Sequence, residues 1–395
     1  MIPRTVAHKV KSLATHYPVV MITGPRQSGK TTLCRSVFPK KKYVLFEDPD
    51  TREFATTDPR GFLAQYPDGA IFDEIQRVPD IVSYLQGQVD RVKQNGQFIL
   101  TGSHNLLLSQ TVSQSLAGRV AVITLLPFSL AELLPSVASM STDDLMVHGF
   151  YPRIYDEKLD PNNAMRFYFQ TYVERDVRDL LHVKDVVRFQ TFVKLCAGRI
   201  GQLLNLSALG NEAGVSHQTA RDWLSILEIS FIVFRLQPYH NNFNKRVVKT
   251  PKLYFYDTGL ASYLLGIENV RQMERDPLRG NLFENMIIAD IAKMQYNQVR
   301  DVSLSFFRDS KGNEVDLLVP GPHELTAIEI KSGQTIVPDY FKGLHHFNAV
   351  AKRIHTAGTY VVYGGEELQC RDFASVIPFK QWPKIFQEQV ANKVE

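Results

Sequence analysis

Cysteine is scarce in this chain: 395 residues hold three, Cys34, Cys196 and Cys370, with no CxxC pair. That scarcity excludes a disulfide framework and a thiolate zinc site, and a reducing compartment is the simplest home. Long apolar runs are missing as well. "AVITLLPFSLAELL" (121–134) is interrupted by Pro127, so nothing approaches the ~18 apolar residues of a membrane helix. The apolar segment near the start, "PVVMITG", is too short and too late for a signal peptide. Internal repeats and low-complexity stretches are also lacking. Neither charge sign dominates: 45 basic against 41 acidic residues leave +4. Whole-chain charge therefore does not argue for nucleic acid, and any basic patch must be local. The expectation is a cytoplasmic protein with no membrane partner.

The hydrophobic share of 44% and charged share of 22% describe a globular protein. At ~150 residues per domain, the length suggests two or three domains. In the first 150 residues, "PVVMITG" (18–24), "YVLFED" (43–48), "GAIFDE" (69–74), "GQFILTGS" (96–103) and "RVAVITLLP" (119–127) read as buried strands. Helical patterns such as "VPDIVSYLQGQVDRVKQ" (78–94) separate them. This alternation predicts a doubly wound α/β domain with a parallel sheet. After "HGFYPRIYDEKLDPNNAMRF" the pattern turns helical, and from Gly280 a helix precedes three strands. The expected units are 1–150, a helical middle region 151–275, and an α/β end domain 276–395.

"GPRQSGKT" (24–31) follows a strand and opens a helix, as a phosphate-binding loop requires. Gly24 and Gly29 let the intervening backbone of Pro25, Arg26, Gln27 and Ser28 wrap its N–H groups around phosphates. Lys30 supplies a charge, Thr31 a hydroxyl for Mg²⁺, and Thr32 continues the binding turn. "AIFDEI" ends a strand in Asp73 and Glu74, where an open α/β sheet binds ligand. Asp73 would hold Mg²⁺ through water, and Glu74 would polarise the attacking water. Beyond them, Thr101, Ser103 and more weakly Asn105 are candidates for the γ-phosphate or the lytic water. Arg119, which starts the next strand and is expected at the same sheet edge, is a candidate arginine finger reaching a neighbour's nucleotide. That role implies a homo-oligomer.

"LSALGNEAGVSHQTARDWLSIL" (206–227) gives helix, Gly-containing turn, helix, and strand patterns with a polar loop follow. The order is that of a helix-turn-helix with a β-hairpin wing. Ser216, His217, Gln218, Thr219 and Arg221 would open the second helix toward DNA bases. Lys245, Arg246, Lys249 and Lys252 would form a cationic wing patch for phosphates.

"NEVDLLVPGPHELTAIEIKSG" (313–333) carries two alternating strands around a turn. Alternation puts Glu314 and Asp316 on one face, and Glu329 with Lys331 on one face of the next strand. Pairing brings Asp316 near Glu329, and Glu284 on the preceding helix is a third candidate carboxylate. Such oxygens bind Mg²⁺, with Mn²⁺ as an alternative, and Lys331 would orient or activate water. The order Glu284, Asp316, Glu329-x-Lys331 resembles the PD-(D/E)xK nuclease pattern.

The succession "GPRQSGKTTL", "IFDEIQRVPD", "FILTGSHNLLLSQTVSQSLAGRV", "LLPFSLAELL", "YFYDTGLASYLLG", "GNLFEN" and "EVDLLV…IEIKSG" resembles the AAA-type ATPases with a C-terminal domain of unknown function, DUF4143. The resemblance covers nearly the whole chain. It implies an ATP-binding core, a winged-helix region and a restriction-endonuclease-like end domain. One departure is "HGFYP", where His148 stands at the first position of a Gly-Gly-x-Pro element. The resulting expectation is an ATPase whose nucleotide state controls DNA binding and metal-dependent DNA cleavage. The competing expectation is a nucleotide-dependent regulatory switch whose nuclease-like domain is an inactive platform for protein or nucleic acid. A small-molecule kinase has no acceptor pocket or lid motif in its favour.

Overall fold

Residue alternation within five short apolar runs decides the first layer. The computed structural model describes residues 1–102, 115–177, 185–239, 248–321, 324–351 and 356–389. Strands β1 (Val19–Thr23), β2 (Lys42–Leu45), β3 (Ala70–Asp73), β4 (Phe98–Gly102) and β5 (Val120–Thr124) pair in the order β2-β3-β4-β1-β5. Every pairing is parallel. Val19, Met21, Phe72, Phe98 and Leu100 pack into one core, whereas Val20, Ile22, Ile71, Ile99 and Ile123 pack into another on the opposite face. A sheet buried on both faces needs apolar residues at every position, which is why these strands read as continuous runs. Because all five strands run the same way, their C-terminal ends share one edge. The loops leaving β1 and β3 meet there, beside the C-terminal end of β4.

A short helix α1 (Ala7–Leu13) precedes β1, and α2 (Lys30–Val37) follows it. The helical middle contains α3 (Pro152–Asp156), α4 (Leu206–Ala213) and α5 (His217–Ile229). Gly214, at φ 70°, ends α4, and Ser216 caps α5 by accepting the Thr219 N–H. The helix pair leads into the antiparallel strands β6 (Val233–Pro238) and β7 (Lys252–Phe255). This is the expected order, but the hairpin is not free. β6 also pairs in parallel with β8 (Ser305–Arg308), through Gln237 with Ser305 and Pro238 with Phe306.

One eight-stranded sheet results. Strands β9 (Glu314–Pro320), β10 (Leu325–Lys331), β11 (Thr356–Tyr363), β12 (Gln369–Cys370) and β13 (Ser375–Pro378) complete the order β12-β13-β11-β10-β9-β8-β6-β7. Helix α6 (Thr258–Leu264) follows β7, and α7 (Arg279–Asn297) covers one face of the sheet. Apolar side chains surround α7, including Leu282, Phe283, Met286, Ile287 and Ile291, so it is enclosed by protein. The opposite face packs against α8 (Lys342–Val350) through Leu344 and Phe347. The largest core extends from Phe128 through Tyr172 and Trp223 to Phe386, and so crosses the expected limits at 150 and 275. Among the described residues, no helix is long and apolar enough to cross a membrane.

Candidate functional site

The loop after β1 begins at a glycine that no other residue could replace. Gly24 has φ 142°, and a Cβ there would overlap the Leu125 carbonyl. Gln27 (φ 60°) and Gly29 (φ 91°) complete the turn into α2. Lys30 Nζ folds back into this loop, donating to the carbonyls of Gly24 at 3.0 Å and Pro25 at 2.8 Å. Burial lowers its pKa to about 8, against the opposing pull of Glu74 and Asp73. Ser28 Oγ is buried with no hydrogen-bond partner among the described residues. Such a loop, with an orphaned hydroxyl and a desolvated ammonium, fits an incoming phosphate.

Asp73 at the end of β3 is the acceptor for three hydroxyls. Thr31 Oγ1 donates at 2.7 Å, Tyr43 Oη at 2.6 Å, and Thr101 Oγ1 reaches the other carboxylate oxygen. Thr31 and Asp73 are therefore brought together as the sequence suggested, and this hydroxyl-carboxylate pair suits an oxygen-loving cation such as Mg²⁺. Glu74 adopts a left-handed φ of 60°, and its carboxylate accepts from Gln76. Its side chain lines the same cavity as Lys30 and Thr31, of about 300 Å³. Arg26 and Thr32 line it as well. Arg26 also approaches Glu47 at 4.0 Å. Ser103 and Asn105 lie outside the described residues.

Further contributors to this site come from far along the chain. Pro152 and Arg153 at the start of α3, with Asp156, close one wall of the cavity. Pro152 belongs to "HGFYP", and its ring lies 3.9 Å from where a Cβ on Gly29 would stand. The preceding glycine turns away: Gly149 (φ 68°) packs on Gly259, and Phe150 N–H donates to Asp257. A second cavity of about 300 Å³ adjoins, lined by Ile2, Pro3, Gly29, Thr32, Phe128 and Pro152. Arg4 underpins both. Its guanidinium donates to Ser28 O (2.7 Å), Leu126 O (2.7 Å) and buried Glu132 (3.1 Å), and stacks on Phe128. Nothing in the local pattern around Arg4 marks it, although Arg153 could have been sought directly after the Gly-x-x-Pro turn.

Arg119 departs from expectation. It precedes β5, so it sits at the N-terminal edge of a parallel sheet, where its carbonyl accepts from Val19 at the start of β1. The nucleotide loop lies at the other edge. The guanidinium is held by Asp90, with bonds of 2.6 and 3.0 Å. A finger toward the chain's own nucleotide is excluded by this placement.

The second candidate centre lies where β7, α7, β9 and β10 converge. β9 and β10 pair antiparallel, with Leu317 opposite Ile328, which sets Asp316 across from Glu329 as the alternation predicted. Lys331 Nζ bridges them, 3.2 Å from Asp316 and 2.7 Å from Glu329. Asp316 also accepts the Ile330 N–H. Burial and the Asp316 charge raise Glu329 to about 8, with Lys331 opposing, so Glu329 is largely protonated at neutral pH. One Glu329 oxygen is buried with no hydrogen-bond partner among the described residues.

Lys252 overturns its expected role. Rather than projecting from a wing, its side chain is 4% exposed and inserted among the carboxylates. Nζ is 3.0 Å from Glu284 and also pairs with Glu314. Burial opposes its charge, but Glu284, Asp316 and Glu314 outweigh it and raise its pKa. Tyr254 also donates to Glu284. The three carboxylates named from sequence, Glu284, Asp316 and Glu329, therefore do not form a metal-ready set. Among the described residues no group of three or more acidic, histidine or cysteine side chains is arranged to hold a metal ion. Lys249 is exposed; Lys245 and Arg246 lie outside the described residues.

A family model described as an AAA domain matches residues 16–134, and two domains of unknown function, DUF8612 and DUF4143, match 140–271 and 279–382. An uncharacterized protein of Mycobacterium tuberculosis is 30% identical over 368 residues, covering 92% of this chain and 80% of its own. One of Haemophilus influenzae is 26% identical over 343 residues, covering 79% and 82%. Among solved structures, a Walker-type ATPase of Pyrococcus abyssi is similar at 16% identity and a TM-score of 0.45, covering 66% of this chain and 94% of that one.

Proposed function

The chain belongs to the AAA-type P-loop ATPases that carry a C-terminal DUF4143 domain, and from that premise we propose that it binds and hydrolyses ATP as a switch for its C-terminal half. The observation that carries this reading is the convergence of Lys30, the Thr31–Asp73 pair and Glu74 on one cavity. Thr31 and Asp73 are the residues that would hold Mg²⁺. When bound, the ion neutralises charge on the β- and γ-phosphate oxygens. Lys30 exchanges its two loop carbonyls for those oxygens. Glu74 takes the proton of a water as the water oxygen bonds the γ-phosphorus, and the bond to the bridging oxygen breaks to leave ADP. The adjoining apolar cavity, walled by Ile2, Pro3 and Phe128, suits the adenine base.

Nucleotide state has a physical route out of the site. Arg4 touches the phosphate loop at Ser28 and holds Glu132, whose segment docks on α7. There Leu130 N–H donates to Asp290 at 2.6 Å, and Lys293 donates to Phe128 O at 3.2 Å. Helix α7 also carries Glu284 of the carboxylate centre.

For the C-terminal half, the inserted Lys252 favours a binding platform over a metal-dependent nuclease. DNA is the partner we propose for it, because His217, Gln218 and Arg221 are exposed at the start of α5. The deciding experiment compares variants at the nucleotide site. Lys30→Ala should abolish ATP binding, whereas Glu74→Gln should retain it and stall turnover; wild-type turnover by Glu74→Gln refutes the assignment of the base. A binding curve independent of salt would refute DNA as partner.

A further inference from the structure

We infer that the Lys252 ammonium is the resident cation of the C-terminal carboxylate centre, standing where a divalent metal would otherwise bind. This deepens the platform reading above and rests on it only for its biological meaning. Four carboxylates, from Glu284, Glu314, Asp316 and Glu329, crowd the junction of α7, β9 and β10. The charged members of such a group must be neutralised, because buried like charges repel strongly. Three cations do so. Lys331 joins Asp316 to Glu329, Lys252 joins Glu284 to Glu314, and Arg308 takes the remaining Glu314 oxygen at 2.7 Å.

The surroundings of Lys252 suit an ammonium and not a hydrated ion. Mg²⁺ demands about six oxygens in octahedral array and keeps several waters. Here the Lys252 nitrogen faces the ring of Phe306 at 5.5 Å, a wall that offers a cation the π-face and no lone pair. The Tyr254 hydroxyl occupies Glu284, and the Lys252 side chain is only 4% exposed. Gly343 seals another side: a Cβ there would overlap Glu314 O and lie 3.3 Å from Glu329 Oε2. The ammonium thus binds Glu284, one of the three carboxylates that a metal would claim, with Glu314 beside it, and is tied covalently to β7. Unlike a metal it cannot be lost to a chelator. It also fastens the β6–β7 hairpin to α7, so the helix pair and the end domain share one electrostatic centre.

The test is a Mn²⁺ titration without nucleotide, followed by the free-ion electron paramagnetic resonance signal. Wild type should take up no Mn²⁺ at this centre, so Asp316→Asn should leave its isotherm unchanged. Lys252→Met should gain about one site per chain, lost again in Lys252→Met/Asp316→Asn. Its melting temperature should fall in chelator and recover with Mn²⁺, whereas Lys252→Arg should stay indifferent to the ion. Wild-type uptake that Asp316→Asn abolishes overturns the inference, as does a folded Lys252→Met with no gained site. Should Lys252→Met fail to fold in either condition, the wild-type and Asp316→Asn isotherms still decide. The platform reading fails separately: DNA cleavage by wild type that takes up no Mn²⁺ would refute it and leave Lys252 as the resident cation.

Discussion

Binding of Mg·ATP at pH 8 should draw a proton onto the protein, and Lys30 is its destination. Burial holds Lys30 at about 8, so about half of the ammonium groups are neutral at pH 8 and about a tenth at pH 7. Arriving phosphate oxygens replace the neutral carbonyls of Gly24 and Pro25 as its partners. Opposite charge at hydrogen-bond distance restores the ammonium, so the expected uptake is about 0.5 proton per ATP at pH 8 and about 0.1 at pH 7. Isothermal titration calorimetry in buffers of differing ionisation enthalpy reads this number directly as a slope. Lys30→Arg keeps its charge throughout and should bind more weakly with no uptake. A zero slope for wild type at pH 8 would mean that Lys30 is fully charged before ATP arrives, and the desolvation argument would fall.

Arg4→Ala should cost about 3–5 kcal/mol in urea unfolding, because it leaves Glu132 buried without its cation, and should weaken ATP binding through Ser28; unchanged nucleotide affinity would remove Arg4 from the route. Glu329, raised from 4.5 to about 8, stays protonated in the folded chain while the unfolded chain loses its proton, so stability should decline as pH rises across that window. Glu329→Gln should flatten that decline, which cannot exceed about 1.4 kcal/mol per pH unit for one proton; identical pH profiles would contradict the shift. Gly149→Ala, forcing a side chain to φ 68° against Asp257 and Gly259, should destabilise by about 2–5 kcal/mol in the same assay.

The legible parts of this molecule are those set by local backbone chemistry. A phosphate loop is eight consecutive residues, and its glycines declare their torsions in the sequence. Asp73 was legible because parallel strands must end at one edge, and the same rule places Arg119, which begins its strand, at the other. Lys252 was misread for a different reason. Four cations in eight residues look like a surface patch, yet only tertiary packing tells which of them turns inward. Glu284, 32 positions away, supplies the partner that makes burial tolerable. Arg4 lay equally beyond reach, since Ser28, Leu126 and Glu132 meet it only after the sheet has formed. Long-range charge pairs leave no periodicity to read.

The parallel pairing of β6 with β8 governs how this chain can be divided. A cut between residues 275 and 276 looks natural from the helix content, but it would split one sheet in two. The N-terminal fragment would keep Lys252 without Glu284 or Glu314, and the C-terminal fragment would keep those acids without their ammonium. Each piece would also expose a strand margin of unpaired N–H and C=O groups, an invitation to self-association. The helix pair and the end domain thus share one sheet and one set of charges, and a ligand held by either meets a surface built on both.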